Sequence, residues 1–320
     1  MRRRTVLALG VLALAGACGV PDPPRRQELL LVVPEEAGRK AERVARELTA
    51  LIEGRWAARV RLDGAGSGAD DGGGMGGLAR FVEDGRAGDL LVTDTRLLTS
   101  AALGECAPVA GRAVPLARLV GEWEVLVTSP DSGFRTFDEF AAALRRNPAG
   151  PRVAGGATGG PEHLLYGLTA KGLGADLRRL NYAAFPDPAD LIAAVLDGQA
   201  PLAFGTRSDL FPYIRAGRLR PLAVSSSERL AGVDAPTLLE SGVRLVYADW
   251  TGLVGPRTLP DRERQALLDL CAAIAGSPAW QRACDRNGWA CMYLAGDEFG
   301  EWLVDEARRT GELLRDLGLR

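Results

Sequence analysis

The 320-residue chain has one histidine, His163, and two lysines, Lys40 and Lys171, so 37 of its 39 basic residues are arginine. A single histidine excludes zinc sites built from several imidazoles. It also confines any Ser-His-Asp catalysis to His163. No G-x-x-x-x-G-K-[ST] segment occurs, which removes P-loop chemistry. Aromatic residues make up 6% and the formal charge is only −2, so the charge balance makes no electrostatic case for nucleic acid, whose binding proteins need a cationic face. What remains is an ordinary globular composition, 47% apolar and 25% charged, long enough for two domains or one large one.

The N-terminus reads as an address. Arg2, Arg3 and Arg4 precede an apolar run from Val6 to Ala17, and small residues lead into Cys18. A basic start, about a dozen apolar residues and a small-residue cleavage point describe a secretory signal over residues 1–17. The run is too short for a bilayer, which needs about 20 residues. Leu14-Ala15-Gly16-Ala17-Cys18 resembles a bacterial lipobox, with Cys18 lipidated and Ala15 standing where Leu or Val is usual. Simple cleavage near Ala17 without lipid is the alternative. Residues 18–27, with Pro21, Pro23 and Pro24, read as an extended tether. Without the signal, 36 basic residues face 41 acidic ones, and the charge becomes −5. The expected location is the outer face of the cell membrane.

Four cysteines remain, Cys106, Cys271, Cys284 and Cys291. An oxidising compartment makes disulfides available to them, and four cysteines allow three pairings. Buried free thiols are the alternative. No C-x-x-C spacing joins Cys284 to Cys291, so no metal or redox motif is indicated.

Strand-length apolar runs alternate with helical patterns along the mature chain. Glu28 to Val33 and Ala58 to Leu62 read as strands around a helix from Arg39 to Glu53, whose Ala41, Val44, Ala45, Leu48 and Leu51 share a face. A helix at Leu78 to Glu83 and a strand at Asp89 to Thr93 follow. The pattern restarts at Trp123 and runs to Val224. Leu245 to Ala248 and Thr251 to Val254 read as strands leading back to the first unit, and three helices from Asp261 to Leu317 close the chain. This alternation predicts α/β architecture with mainly parallel sheets. Two lobes are expected, 28–122 with 249–320 and 123–248, with a cleft between them.

Several motifs carry less than their pattern suggests. Gly72 to Gly77 satisfies G-x-G-x-x-G, but Gly66 to Asp71 separates it from the preceding strand, so a loop is the better reading. Ala65 and Ala69 flank Ser67's neighbourhood where a nucleophile elbow needs glycines, and nothing accompanies His163 as a catalytic partner. A hydrolase therefore ranks last, and no catalytic or metal-ligating residue is assigned. More informative is Gly155 to His163, where glycines lie between a strand and a helix. Such a loop lets backbone N–H groups and a helix N-terminus approach an anion.

That loop belongs to a wider pattern. Gly159-Gly160-Pro161-Glu162-His163-Leu164, Leu180-Asn181-Tyr182, Leu196-Asp197-Gly198-Gln199 and Ile214 to Val224 occur in order. Ala235-Pro236-Thr237-Leu238, Asp249 to Val254, Ser277-Pro278-Ala279-Trp280 and Gly296-Asp297-Glu298-Phe299 continue it. With these motifs the chain, from about Leu29 onward, resembles the Bug family, the extracytoplasmic solute-binding proteins of tripartite tricarboxylate transporters. The resemblance implies a two-lobed periplasmic-binding-protein type II fold with a ligand cleft between lobes. It implies a monomer that closes on a small carboxylate, serves membrane transporter subunits, and needs no cofactor. Carried over residue by residue, it places Pro34, Glu35 and Gly38 in a first-lobe loop and Thr93, Asp94 and Thr95 after the next strand. Thr158, Gly159, Gly160 and His163 would form the second-lobe loop, with Thr206 and Arg207 on the far side.

The departures concern charge. The family's first loop typically reads V-P-x-x-P-G-G-x-x-D, whereas here Glu35 and Glu36 arrive, and Ala37 and Arg39 stand in place of a proline and one glycine. Carboxylates near an anionic ligand cost Coulomb energy, about 1 kcal/mol or more at 4 Å. An amine-bearing or neutral ligand, or a sensor or interaction lipoprotein with altered or lost carboxylate binding, is the alternative to capture of a di- or tricarboxylate. Arg39, Arg96 and Arg207 are the available counter-charges.

Overall fold

The protein is described here from a computed structural model, over residues 26–34, 39–64, 78, 81–83, 85, 86 and 88–320. The signal, Cys18, most of the tether, Glu35, Gly38 and the glycine run at 72–77 lie outside the described residues.

Strand β1 (Arg26–Val33) runs parallel to β2 (Ala57–Gly64) and to β3 (Asp89–Asp94), with α1 (Arg39–Ile52) between the first two in sequence. Leu29, Leu31 and Val33 point to one face of this sheet and Val32 to the other, and all four are buried in two different clusters. A strand covered on both sides must be apolar nearly throughout, which explains the unbroken Leu-Leu-Leu-Val-Val run. Helix α1 buries Ala41, Val44, Ala45, Leu48 and Ile52 on the first face. This is the period a helix needs to present one stripe.

After α2 (Thr95–Leu103), the 15-residue strand β4 (Val114–Thr128) links the two halves of the molecule. Residues 114–123 pair antiparallel with β9 (Ala248–Gly255), and residues 124–128 pair antiparallel with β7 (Leu202–Thr206). The partner changes between Trp123 and Glu124. Helix α3 (Phe137–Arg146) starts at a capping box formed by Thr136 and Glu139. Parallel strands β5 (Arg152–Gly155), β6 (Asn181–Ala184) and β7 then alternate with α4 (Pro161–Gly172) and α5 (Pro188–Leu196). Helix α6 (Arg207–Arg215) and β8 (Arg220–Val224) complete the second half.

The sheet order is β2-β1-β3-β9-β4-β7-β5-β6, with β8 and β10 (Ala290–Ala295) also on β4. The βαβ units are parallel as expected, but every contact of β4 and β9 is antiparallel. These strands cross between halves, so they enter each sheet from the opposite end. One expected strand is missing. Residues 243–247 are irregular, and the two apolar runs around them yield only β9. Tyr247 N–H still bonds to Ser225 O at 2.9 Å, so this segment is held without a ladder.

Helices α7 (Asp261–Ala275) and α8 (Pro278–Asn287) cover the first sheet. The last helix, α9 (Gly296–Asp316), bridges the halves. Its Phe299 and Leu303 join the first half's second core, whereas Leu313 and Leu314 pack with Tyr166, Leu165 and Phe140 of the second. Among the described residues, no helix is long and apolar enough to cross a membrane.

Candidate functional site

A cleft of about 380 Å³ lies between the two halves. One wall comes from α1 (Lys40, Glu42, Arg43), the start of α2 (Arg96), β4 (Glu122) and β9 (Asp249). The opposite wall comes from Gly156, Pro161 and Glu162 at the start of α4, Pro186 and Pro188 before and in α5, and Thr206 and Asp209 at the start of α6. Helix N-termini and strand ends therefore converge on one space, as they do at the carboxyl edge of an open α/β sheet.

The first wall is built on a buried ion pair. Lys40 Nζ lies 2.6 Å from Asp249 Oδ2 and also donates to the Asp249 carbonyl. Lys40 is 5% exposed and Asp249 8%, so each is held by the other in a poorly solvated place. Asp249 Oδ1 is buried and has no hydrogen-bond partner. Glu122 accepts from Ser208 Oγ across the cleft and lies 3.7 Å from Arg43 Nη2. Burial pushes the Glu122 carboxyl upward, against the opposing pull of Lys40, Ser208 and Arg43.

Two residues along β4, Glu124 is fully buried, and neither carboxylate oxygen has a partner. Burial raises its carboxyl well above the ordinary range, and Glu162, Asp249 and Glu122 add to the rise. Desolvation disfavours its charged form. Its backbone N–H donates to Ser225 Oγ at 2.9 Å, and that hydroxyl donates to Tyr247 O at 2.6 Å.

Glu162 occupies the first turn of α4, behind Pro161 and the N-cap Gly160. Its carboxylate lies against Gly156, where a Cβ would come within 2.6 Å of Oε2. Burial lifts it to about 7; its own backbone N–H and Arg96 oppose the shift, and Asp249 and Asp209 reinforce it. The protein's own carboxyl thus takes a position at a helix N-terminus that would otherwise receive an anion.

The expected site residues divide into several groups. Thr206 lines the cleft, caps α6 by accepting from Asp209 N–H, and donates to Asp209 Oδ2 at 2.9 Å. Gly159, at φ +77°, turns the chain, and its N–H donates to His163 Nδ1 at 3.1 Å. Gly160 N–H donates to Ala157 O at 2.8 Å. His163 is buried, stacked on Tyr182 with centroids 3.9 Å apart, and pushed down by burial to about 4. It is therefore a neutral acceptor that fixes the Thr158–Gly160 turn. Asp94 caps α2 by accepting from Leu97 N–H at 2.9 Å, and Thr95 Oγ1 accepts from Trp250 N–H at 3.2 Å. Thr93 is buried with an unpartnered hydroxyl. Pro34 is buried at the end of β1. Arg207 turns away from the cleft lining to lie 4.4 Å over the Phe211 ring, with Nη2 donating to Ala231 O.

Sequence reading did not single out Lys40, Glu122, Glu124, Asp209 or Asp249 as site residues. One signal was available, Glu122 and Glu124 two apart inside an apolar strand. Charged side chains almost never occupy such positions unless they are paired or functional.

The architecture is that of a two-lobed, type II periplasmic-binding fold, the fold of proteins that hold a solute between lobes. The family model described as "Tripartite tricarboxylate transporter family receptor" (TctC) matches residues 111–319. The chain belongs to this family, whose members are solute receptors outside the cytoplasm and not enzymes. Protein BugT of Bordetella pertussis is 26% identical over 199 residues, 61% of this chain and 60% of BugT. The matched region thus spans about 60% of that relative's length. A TctC solute-binding protein from Polaromonas superposes with a TM-score of 0.72 at 22% identity, covering 90% of this chain and 98% of that one. An R. palustris protein solved with adipate gives 0.70 at 20% identity, covering 92% and 98%.

Proposed function

We propose that the chain is an extracytoplasmic solute-binding lipoprotein that captures a small organic acid of di- or tricarboxylate type. It is cleaved after residue 17, lipidated at Cys18 and tethered through residues 18–27 to the outer face of the cell membrane. As a monomer it presents its ligand to the membrane subunits of a tripartite tricarboxylate-type transporter. Residues 28–122 with 249–320 form one lobe and 123–248 the other, with β4 and β9 as the crossing strands.

The observation that carries this reading is the cleft lined from both lobes, with Lys40, Arg43 and Arg96 on one wall. A ligand touching both walls gains contacts only when the lobes approach, so its binding favours the closed form. The adipate in the R. palustris relative supports a carboxylate as the ligand class. The turn at Thr158–Gly160, fixed by His163, and Thr206 serve the second-lobe wall. The first-lobe loop that leaves Pro34, with Glu35 and Gly38, completes the reading.

A second reading draws on the five carboxylates of the same lining, Glu42, Glu122, Glu162, Asp209 and Asp249, which outnumber its three cations. They favour an altered ligand, an acid that also carries an amine, or a receptor turned sensor that no longer takes a carboxylate. Titration calorimetry with succinate, citrate, adipate and glutamate separates these outcomes. Saturable heat with a simple di- or tricarboxylate supports capture of an organic acid, and Arg96→Gln then weakens it about tenfold or more. Heat with glutamate alone supports the amine-bearing ligand. Silence across the panel refutes capture of these acids.

A further inference from the structure

Cys284 and Cys291 stand on either side of a tight helix-to-strand turn. Cys284 lies in the last turns of α8, and Cys291 is the second residue of β10. Gly288 adopts φ +72°, and Trp289 N–H donates to Cys284 O at 2.9 Å, which reverses the chain. The reversal brings Cys291 Sγ to 3.3 Å from Cys284 Sγ. Packing fixes both ends. Trp280 of α8 and Trp289 of the turn have ring centroids 6.2 Å apart, and Cys291 is in register with Val120 of β4. Cys106 packs in a different core from Cys271, so those two are not a pair.

We propose that Cys284 and Cys291 are oxidised to an intramolecular disulfide that staples α8 to β10, formed by exchange with a disulfide-bearing oxidant. Cys291 is exposed and Cys284 buried, which orders the step. The Cys291 thiolate attacks the oxidant's disulfide, forming a mixed disulfide and releasing one thiolate. Cys284 then loses its proton and attacks Cys291 Sγ, releasing the oxidant's second thiolate. Two protein thiols have given up two protons and two electrons, and one external disulfide has become two thiols. Burial and the neighbouring sulfur push the Cys284 thiol upward, so it is a poor first nucleophile. Receptors of this family work outside the cytoplasm, where such bonds form and persist.

The test uses the full chain, purified reduced and then treated with oxidised glutathione. Expected are the loss of two hydrogens in the intact mass and of two alkylatable thiols. Non-reducing tryptic digestion should join peptides 283–286 and 287–308, which separate on reduction. The short ring predicts an oxidised form melting roughly 3–5 °C above the reduced one. Cys291→Ser, at an exposed position, abolishes the joined peptide, and Cys271→Ser leaves it intact. Glutathione that persists on Cys291, a cross-link to Cys106 or Cys271 instead, or an unchanged thiol count overturns the proposal.

Discussion

Replacing Glu162 with glutamine removes a cleft carboxyl whose proton affinity is lifted to about 7 by burial. In the folded protein it titrates near 7, against an ordinary value of 4.5. Below pH 4.5 the group is protonated in both folded and unfolded chains and favours neither. Between 4.5 and 7 the unfolded chain releases the proton while the folded chain keeps it, so stability falls as pH rises. Above 7 the folded state carries the full penalty, about 3 kcal/mol for a rise of this size, less what cleft water screens. Glutamine keeps the shape and carries no such penalty. Urea unfolding followed by tryptophan fluorescence at pH 4.5, 6, 7 and 8 reads the difference. Glu162→Gln should match the parent at pH 4.5 and exceed it by about 2–3 kcal/mol at pH 8. Glu122, Glu124 and Glu306 are raised in the same direction in both proteins, so much of their effect cancels in the comparison. Part of the difference belongs to the Glu162–Glu124 pair jointly. A stability difference that stays constant from pH 4.5 to 8 would refute the reasoning, because it would mean that Glu162 is as solvated folded as unfolded.

Lys40→Met strands Asp249 beside Glu122 and Glu124, and should cost about 3–5 kcal/mol in urea unfolding; a loss under about 1 kcal/mol would show that the pair is solvated. Gly159→Ala forces a Cβ into φ +77° and to within 3.1 Å of Leu103 Cδ1. With a strain of about 1–2 kcal/mol it should lower the melting temperature by roughly 2–3 °C, and an unchanged melt would count against the turn geometry. Phe140→Ala, at a position fully buried against Tyr166, should cost about 3–5 kcal/mol by denaturant titration; a cost below 2 kcal/mol would mean that the second-half core collapses readily around the gap.

Local order was legible wherever one face had to be apolar. Helix α1 ends at Ile52 against an expectation of Glu53, and the helical patterns from Pro188 to Leu196 and from Asp261 to Ala275 coincide with α5 and α7. The second half's βαβ alternation is equally plain. Reading failed where pairing, not periodicity, decides conformation. Leu245 to Ala248 has strand composition, yet residues 243–247 have no ladder partner and remain irregular. Conversely, β4 begins at Val114, nine residues before the expected Trp123, because β9 and β10 flank its first half. The candidate site was less legible still. The second-lobe loop was found through its glycines, but their N–H groups at 159 and 160 are bonded within the protein. The buried carboxylates went unassigned because sequence does not show which charges a fold will bring together.

Scarce histidine and lysine, the sequence's first peculiarity, take on meaning only in the folded chain. Composition by itself determined that multi-histidine zinc sites and P-loop chemistry are absent, and periodicity determined the α/β class, because burial on one or two faces writes itself into spacing. Only the tertiary structure decided that Lys40, one of two lysines, meets Asp249 across 209 positions, and that the sole histidine braces a turn in its neutral form. Such partnerships depend on long-range strand pairing and on the desolvation it imposes. Neither quantity is encoded in a local pattern.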